Sequence, residues 1–311
     1  MKARATTVSL VLGSGGARGL AHIGVIQWLI EQGYEIRSIA GSSIGALVGG
    51  IHAARKLEVY ADWVSALERR QVLGLLDPTF GRNGLIKGDR IIGVLRELIG
   101  DCSIEDLPLS FTAVAADLET GEEVWLREGR LFDAIRASIA TPLVFTPVQH
   151  GARTLFDGAL VNPLPVSPTL DDATDLTIAV SLNGPPSSRA APAANSVPLN
   201  GAAYRRHIRG FVDRLALTRK PEVRTRGLFD VALTSMRTMN DAVARLKLAG
   251  CAPDVTVEIA RDACGYHEFW RAQELIALGR ERAALTMANA MADRIGDFAS
   301  VNGRRGVSGG P

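Results

Sequence analysis

At residues 41–45 the sequence reads Gly-Ser-Ser-Ile-Gly, where a strand pattern over residues 36–40 gives way to a helix pattern starting at Ser43 or Ile44. A residue forced into so tight a strand-to-helix turn needs small neighbours two positions to either side. Gly41 and Gly45 supply them, with Ser42 and Ile44 completing the pentapeptide. The turn lifts the central Ser43 hydroxyl clear of its surroundings and sets it at the positive end of the following helix. A glycine-packed turn without chemistry would read the same way, so the pentapeptide alone leaves both readings open.

A second glycine cluster, Gly13-Ser14-Gly15-Gly16-Ala17-Arg18-Gly19, lies between an apolar strand pattern at 7–12 and a helix pattern through Val25, Ile26, Leu29 and Ile30 that Gly33 closes. Glycines leave backbone N–H groups bare, and a helix start adds partial positive charge. Such a nest holds an anion, either a phosphate or the oxyanion of a tetrahedral acyl-transfer intermediate. A dinucleotide fingerprint fits poorly. Counted from Gly13 the sixth position is Arg18, counted from Gly15 the third is Ala17, and residues 36–40 run into Gly41 with no acidic residue. The third element is Asp157-Gly158-Ala159 after a strand pattern at 154–156. A carboxylate at a strand end can be aimed into a cleft, and Asp-Gly is equally a common turn.

From residue 6 to about 182, short apolar runs alternate with amphipathic stretches, which predicts an α/β fold. Further helices are expected at 57–70, 89–99, 130–140, 227–248 and 268–295, and strands at 111–116, 122–126, 176–182 and 255–259. The expected architecture is a three-layer α/β/α domain over 6–298 with a mostly parallel central sheet and its site at the strand carboxyl ends. Its core is 6–182. Residues 184–203, rich in Pro, Ser, Ala and Gly, read as a mobile loop, the helices of 204–298 are expected to pack on the core, and 299–311 reads as a flexible tail.

Composition removes several classes. With 47% hydrophobic and 22% charged residues the chain is not intrinsically disordered, and a net charge of +2 provides no field toward nucleic acid. The longest apolar stretch, 44–54, contains His52 and falls short of the ~20 residues of a membrane span. The apolar run at 8–12 stops at Gly13, too short for a signal-peptide core. Cys102, Cys251 and Cys264 are scattered, which suits a reducing cytoplasm and predicts neither disulfides nor a cysteine metal site. No histidine has metal-ligand spacing and no carboxylate run has calcium-loop spacing, so no cofactor or metal is expected.

Together GSGGARGLAHIGV at 13–25, GSSIG at 41–45 and DGALVNPLPV at 157–166 resemble the patatin-like phospholipase family. Residues 137–147 (ASIATPLVFTP) and Lys87-Gly88-Asp89 look like the family's as well, and a weaker likeness covers 253–290. The resemblance implies a catalytic dyad, with Ser43 as nucleophile and Asp157 as its base, and an oxyanion hole formed by Gly15 and Gly16 together with Arg18 and Gly19. Where many members carry a further glycine this chain has Ser14, which keeps a backbone N–H. The implied activity is hydrolysis of a carboxylic ester in a phospholipid, lysophospholipid or other lipid, without a cofactor. A non-catalytic protein of the same fold, holding an anion at the glycine nest, is the alternative.

A triad would need a histidine after the acid, and only His207 and His267 follow Asp157. His207 sits among Arg205, Arg206 and Arg209, and His267 at an expected helix start; both read as solvated, packing or capping residues. His22, His52 and His150 read as packing or surface residues; His22, close to the nest, is also a candidate to line the cleft. Residues 204–226 hold eight basic and two acidic side chains, and Ile208, Phe211, Val212 and Leu215 would form an apolar helix face opposite the arginines. That segment is a candidate for peripheral contact with an anionic membrane, and equally reads as an amphipathic helix packed on the core.

Overall fold

The computed structural model describes residues 4–79, 86–187 and 228–305. Two compact units are distinguished, residues 1–187 with 238–311, and residues 188–237. Of the second unit, residues 228–237 are described, as helix. The basic stretch 204–226 and loop residues 188–203 lie outside the described residues.

The first unit is built on one sheet whose described strands are β1 (Thr7–Leu12), β2 (Glu35–Ser42), β3 (Ser110–Asp117), β4 (Glu123–Leu126), β5 (Val148–His150), β6 (Arg153–Asp157), β7 (Leu176–Gly184) and β8 (Val255–Ala260). Their order is β5-β6-β3-β2-β1-β7-β8, with β4 pairing β3 off that path. The run β3-β2-β1-β7-β8 is parallel, whereas β4 and β6 join β3 antiparallel and β5 pairs β6 antiparallel. A central parallel strand is covered on both faces, so it reads as a continuous apolar run. All six residues of β1 are buried, as that rule requires.

Helices α1 (Ala21–Glu31), α2 (Ile44–Ala53), α3 (Leu57–Ser65), α4 (Arg69–Gly74), α5 (Asp89–Ile99), α6 (Leu131–Ser138), α7 (Leu228–Gly250) and α8 (Ala272–Arg305) complete the described chain. Val8, Leu10 and Leu12 of β1 enter the large core with α1, α2 and Leu275 of α8. Val11 points the other way and, with Ala179, meets Leu164 and Val166, against which Leu248 of α7 packs.

Four expectations are corrected in detail. The single helix expected at 57–70 is two, because Glu68 opens a fresh helix through a capping box, its amide bonded to Gln71 Oε1 at 2.7 Å. The helix expected from 268 begins at Ala272, after a 3-10 turn Phe269–Arg271 in which Glu268 accepts from the Gly265 amide and from Arg271. That helix reaches Arg305, so residues 299–305 of the expected tail are helical. Gly184, placed in the loop, ends β7 and pairs with Ala260. The hairpin arm Val148–His150 was not anticipated; three residues are too short to show a period.

Candidate active site

Ser43 stands between β2 and α2 with φ 57° and ψ −125°, a left-handed conformation that β-carbons disfavour. The turn is locked from three sides. The Ser43 amide donates to Ser138 Oγ at 3.0 Å, and Ser138 in turn donates to the Val114 carbonyl of β3 at 2.6 Å. The Ser43 carbonyl accepts the first amides of α2, from Ala46 and Leu47. Gly45 is the third lock: a β-carbon there would lie 2.0 Å from the Leu12 carbonyl, so no larger residue lets the elbow approach β1. Ser42 is fully buried under it, and Ile44 packs on Gly19 of the glycine loop.

Asp157 ends β6 opposite Ala115 of β3, while Ser42 ends β2 opposite Val114 of the same strand. Adjacent residues of β3 therefore set the height of both side chains. The Ser43 hydroxyl donates to Asp157 Oδ2 at 2.8 Å, joining positions 114 residues apart in sequence. Ser43 and Asp157 are both buried. Asp157 Oδ1 accepts the Ala159 amide at 2.9 Å, capping the 3-10 turn Gly158–Leu160, and Oδ2 also accepts Thr141 Oγ1 at 2.6 Å. Burial pushes the Asp157 carboxyl above the ordinary carboxylate value, and the bonds from Thr141, Ala159 and Ser43 pull it part of the way back.

The glycine loop follows β1. Its Gly13, Ser14 and Ala17 amides donate to the carbonyls of Val180, Pro163 and Tyr266 at 3.0, 2.8 and 2.9 Å. Among the described residues the Gly15 and Gly16 amides donate to no carbonyl. The Arg18 side chain is 2% exposed and turns inward, where Nε donates to the Gly15 carbonyl at 3.2 Å and Nη1 donates to the Arg261 carbonyl. It braces the loop. His22 is a packing residue, as the first of its two readings has it, and not a cleft residue: it is buried under the loop, with Nε2 donating to the Gly13 carbonyl at 2.8 Å. Burial pulls its pKa to about 4, which keeps the ring neutral.

A cavity of about 250 Å³ opens beside Ser43. Gly16, Ser43, Thr141 and Tyr266 stand at its polar edge, and the remaining wall is almost entirely apolar, from Ile44 and Leu47 of α2 through Tyr60, Trp63 and Val64 of α3 to Ile91 and Leu95 of α5. His267 lines the same cavity, and no bond from it to Ser43 or Asp157 is among the described contacts. Among the described residues no cluster of His, Cys, Asp and Glu could hold a metal ion.

The family profile for patatin-like phospholipases matches residues 10–170, and an uncharacterized NTE family protein of Mycobacterium tuberculosis is 40% identical over 326 aligned positions, covering 89% of this chain and 90% of that one. The chain belongs to the patatin-like phospholipase family. The counterpart in Mycobacterium bovis matches at the same identity and coverage. A patatin-like phospholipase domain-containing protein of Caenorhabditis elegans is 34% identical over 51% of this chain and 12% of its own length. Among solved structures, VipD from Legionella pneumophila matches with a TM-score of 0.41 at 11% identity, covering 92% of this chain and 67% of that one.

In this member of the patatin-like phospholipase family, Ser138, Thr141 and Tyr266 join the site although the sequence alone assigns none of them a role, even with Ser138 and Thr141 in the family-like run 137–147. Ser138 and Thr141 did carry a signal, being small hydroxyl residues in the otherwise apolar run 137–140 and at its end. Tyr266 reaches the site from beyond β8, at a sequence distance that no local pattern spans.

Proposed function

We propose that this protein is a serine acyl hydrolase in which Ser43 is the nucleophile, Asp157 its base, and the Gly15 and Gly16 amides the oxyanion hole. The observation carrying this reading is the 2.8 Å bond from Ser43 Oγ to a buried carboxylate at the mouth of an apolar cavity. An anion-holding regulator would need the glycine nest but neither side chain.

Ser43 Oγ attacks the ester carbonyl carbon while its proton passes to Asp157 Oδ2. A free aspartate, with a pKa of ~3.9, is too weak a base for a hydroxyl, and burial is what strengthens this one. The carbonyl oxygen becomes an oxyanion facing the Gly15 and Gly16 amides, whose contribution is the larger: losing one such donor costs about 100- to 1000-fold in rate. Arg18 and Gly19 support the hole from behind, Arg18 through its bond to the Gly15 carbonyl. As the tetrahedral intermediate collapses, Asp157 returns the proton to the departing alcohol. A water then repeats the sequence on the acyl-enzyme.

The cavity wall suits the acyl part of the substrate. Each methylene taken from water there contributes roughly 0.8 kcal/mol, which favours a lipid ester. The anionic-membrane contact proposed for 204–226 and a cytoplasmic location extend this reading; no described helix is long and apolar enough to cross a membrane.

The test is labelling by a fluorophosphonate probe together with hydrolysis of a soluble nitrophenyl ester. Wild type labels and turns over. Ser43→Ala loses label, and both Ser43→Ala and Asp157→Asn lose at least about 1000-fold in kcat. Equal labelling of Ser43→Ala removes the nucleophile assignment.

A further inference from the structure

Asp157 receives more hydroxyl groups than a serine–aspartate pair requires. Oδ2 accepts from Ser43 at 2.8 Å and also, more closely, from Thr141 at 2.6 Å. Thr141 is itself buried, and Tyr266 Oη lies 3.5 Å from its hydroxyl. Tyr266 is held where it is by two further contacts. Its carbonyl accepts the Ala17 amide at 2.9 Å, and its ring rests on Gly16, where a β-carbon would come within 2.6 Å of it.

We propose that Thr141, backed by Tyr266, is a positioning residue that holds Asp157 in its ionised form, aims Oδ2 at Ser43, and so fixes the pH at which the pair becomes active. This rests on the acyl-hydrolase reading above.

The hydrogen bonding around Asp157 changes when Oδ2 gains a proton. The ionised carboxylate accepts both hydroxyls and the Ala159 amide at once. Once Oδ2 carries the Ser43 proton it is a neutral hydroxyl oxygen and a poorer acceptor, so the bond from Thr141 loses its charge assistance and weakens. The Ile139 carbonyl at 3.4 Å and Tyr266 Oη at 3.5 Å are too long to replace it. Thr141 therefore favours the charged form over the neutral one. Burial acts the other way, and the site's proton affinity is the balance of the two.

Other titratable groups on the surrounding elements are few. Tyr266 is reached through Thr141, and His267 stands on the cavity wall. Asp117 closes β3 with Arg153 3.6 Å away, and Arg136 of α6 is engaged by the carbonyls of Lys87 and Thr146. None of them is among the influences on Asp157.

The experiment is the pH profile of kcat/KM for a soluble nitrophenyl ester, with KM followed separately, in wild type, Thr141→Val, Thr141→Ser and Tyr266→Phe. Thr141→Val keeps the shape and removes the donor. Its acid limb should move up by about one pH unit, a loss of about tenfold on the acid side that closes toward neutrality, with KM little changed. Thr141→Ser should restore the wild-type limb. Tyr266→Phe keeps the carbonyl bond to Ala17 and the ring on Gly16, so it tests the backing role without disturbing the loop; its limb should move the same way by less. Unmoved limbs in Thr141→Val and Tyr266→Phe overturn the proposal, even if the plateau falls. Should Thr141→Val fail to fold, Thr141→Ala takes its place, and an unmoved limb there overturns the proposal. A wild type that takes no fluorophosphonate label overturns the acyl-hydrolase reading instead.

Discussion

Ser43 holds a β-carbon where the backbone tolerates one badly, at a cost of roughly 1–3 kcal/mol. Glycine occupies that region freely. Two variants that both lack the hydroxyl should therefore part company in stability. Ser43→Gly should melt a few degrees above Ser43→Ala, the reverse of the usual order in a regular element, and a thermal melt of the pair checks this. The residues that make the turn were plain in the sequence, because small side chains at 41, 42 and 45 have few other reasons to coincide. Those that hold it were not. Ser138 acts through one amide of a residue 95 positions away, and that partnership leaves no trace in composition or period. His22 follows its packing reading rather than the cleft alternative: its ring turns inward from α1 to the Gly13 carbonyl.

Among the elements, those with a strong period were legible nearly to the residue, as α5 (Asp89–Ile99) and the parallel strands were. Breaks within a period were not, as the separation of α3 from α4 shows. Helix α2 has a role beyond following the Ser43 turn. Leu47 lies one turn after Ser43 on the same face and lines the cavity beneath it. A bulkier side chain there should shorten the acyl chain that fits while leaving the elbow alone. Leu47→Trp is expected to cut kcat/KM for a nitrophenyl decanoate by at least about tenfold, because an apolar chain that loses two methylenes of burial loses about 1.6 kcal/mol. Turnover of the acetate ester should change little. Comparing the two esters gives the answer, and equal losses on both would refute a chain-binding role for this wall.

Across the first unit, the closing contact is between α1 and α8. A β-carbon on Gly24 would stand 1.9 Å from the Ile276 carbonyl, and one on Gly279 2.0 Å from the Ala21 carbonyl, so the two helices touch backbone to backbone. Arg280 spans the same seam to Gln27 and Glu31. Alanine at either glycine must push the helices apart, an overpacking that costs about 1–3 kcal/mol. Gly24→Ala and Gly279→Ala should each lower Tm by several degrees. The glycine loop sits at the head of α1, so fluorophosphonate labelling should slow in step. That seam was invisible beforehand because its two halves are more than 250 residues apart and each glycine looks ordinary on its own helix.

The seat supplied by Tyr266 also has a consequence in time. Ser43 leaves the ribosome well before the carbonyl that takes up the Ala17 amide, which belongs to residue 266. At ordinary translation speeds the interval is roughly ten seconds or longer. Throughout it the nascent chain carries the Ser43 turn but lacks the Tyr266 edge of the pocket, and it should take a fluorophosphonate label only once residue 266 has emerged and folded back onto the glycine loop.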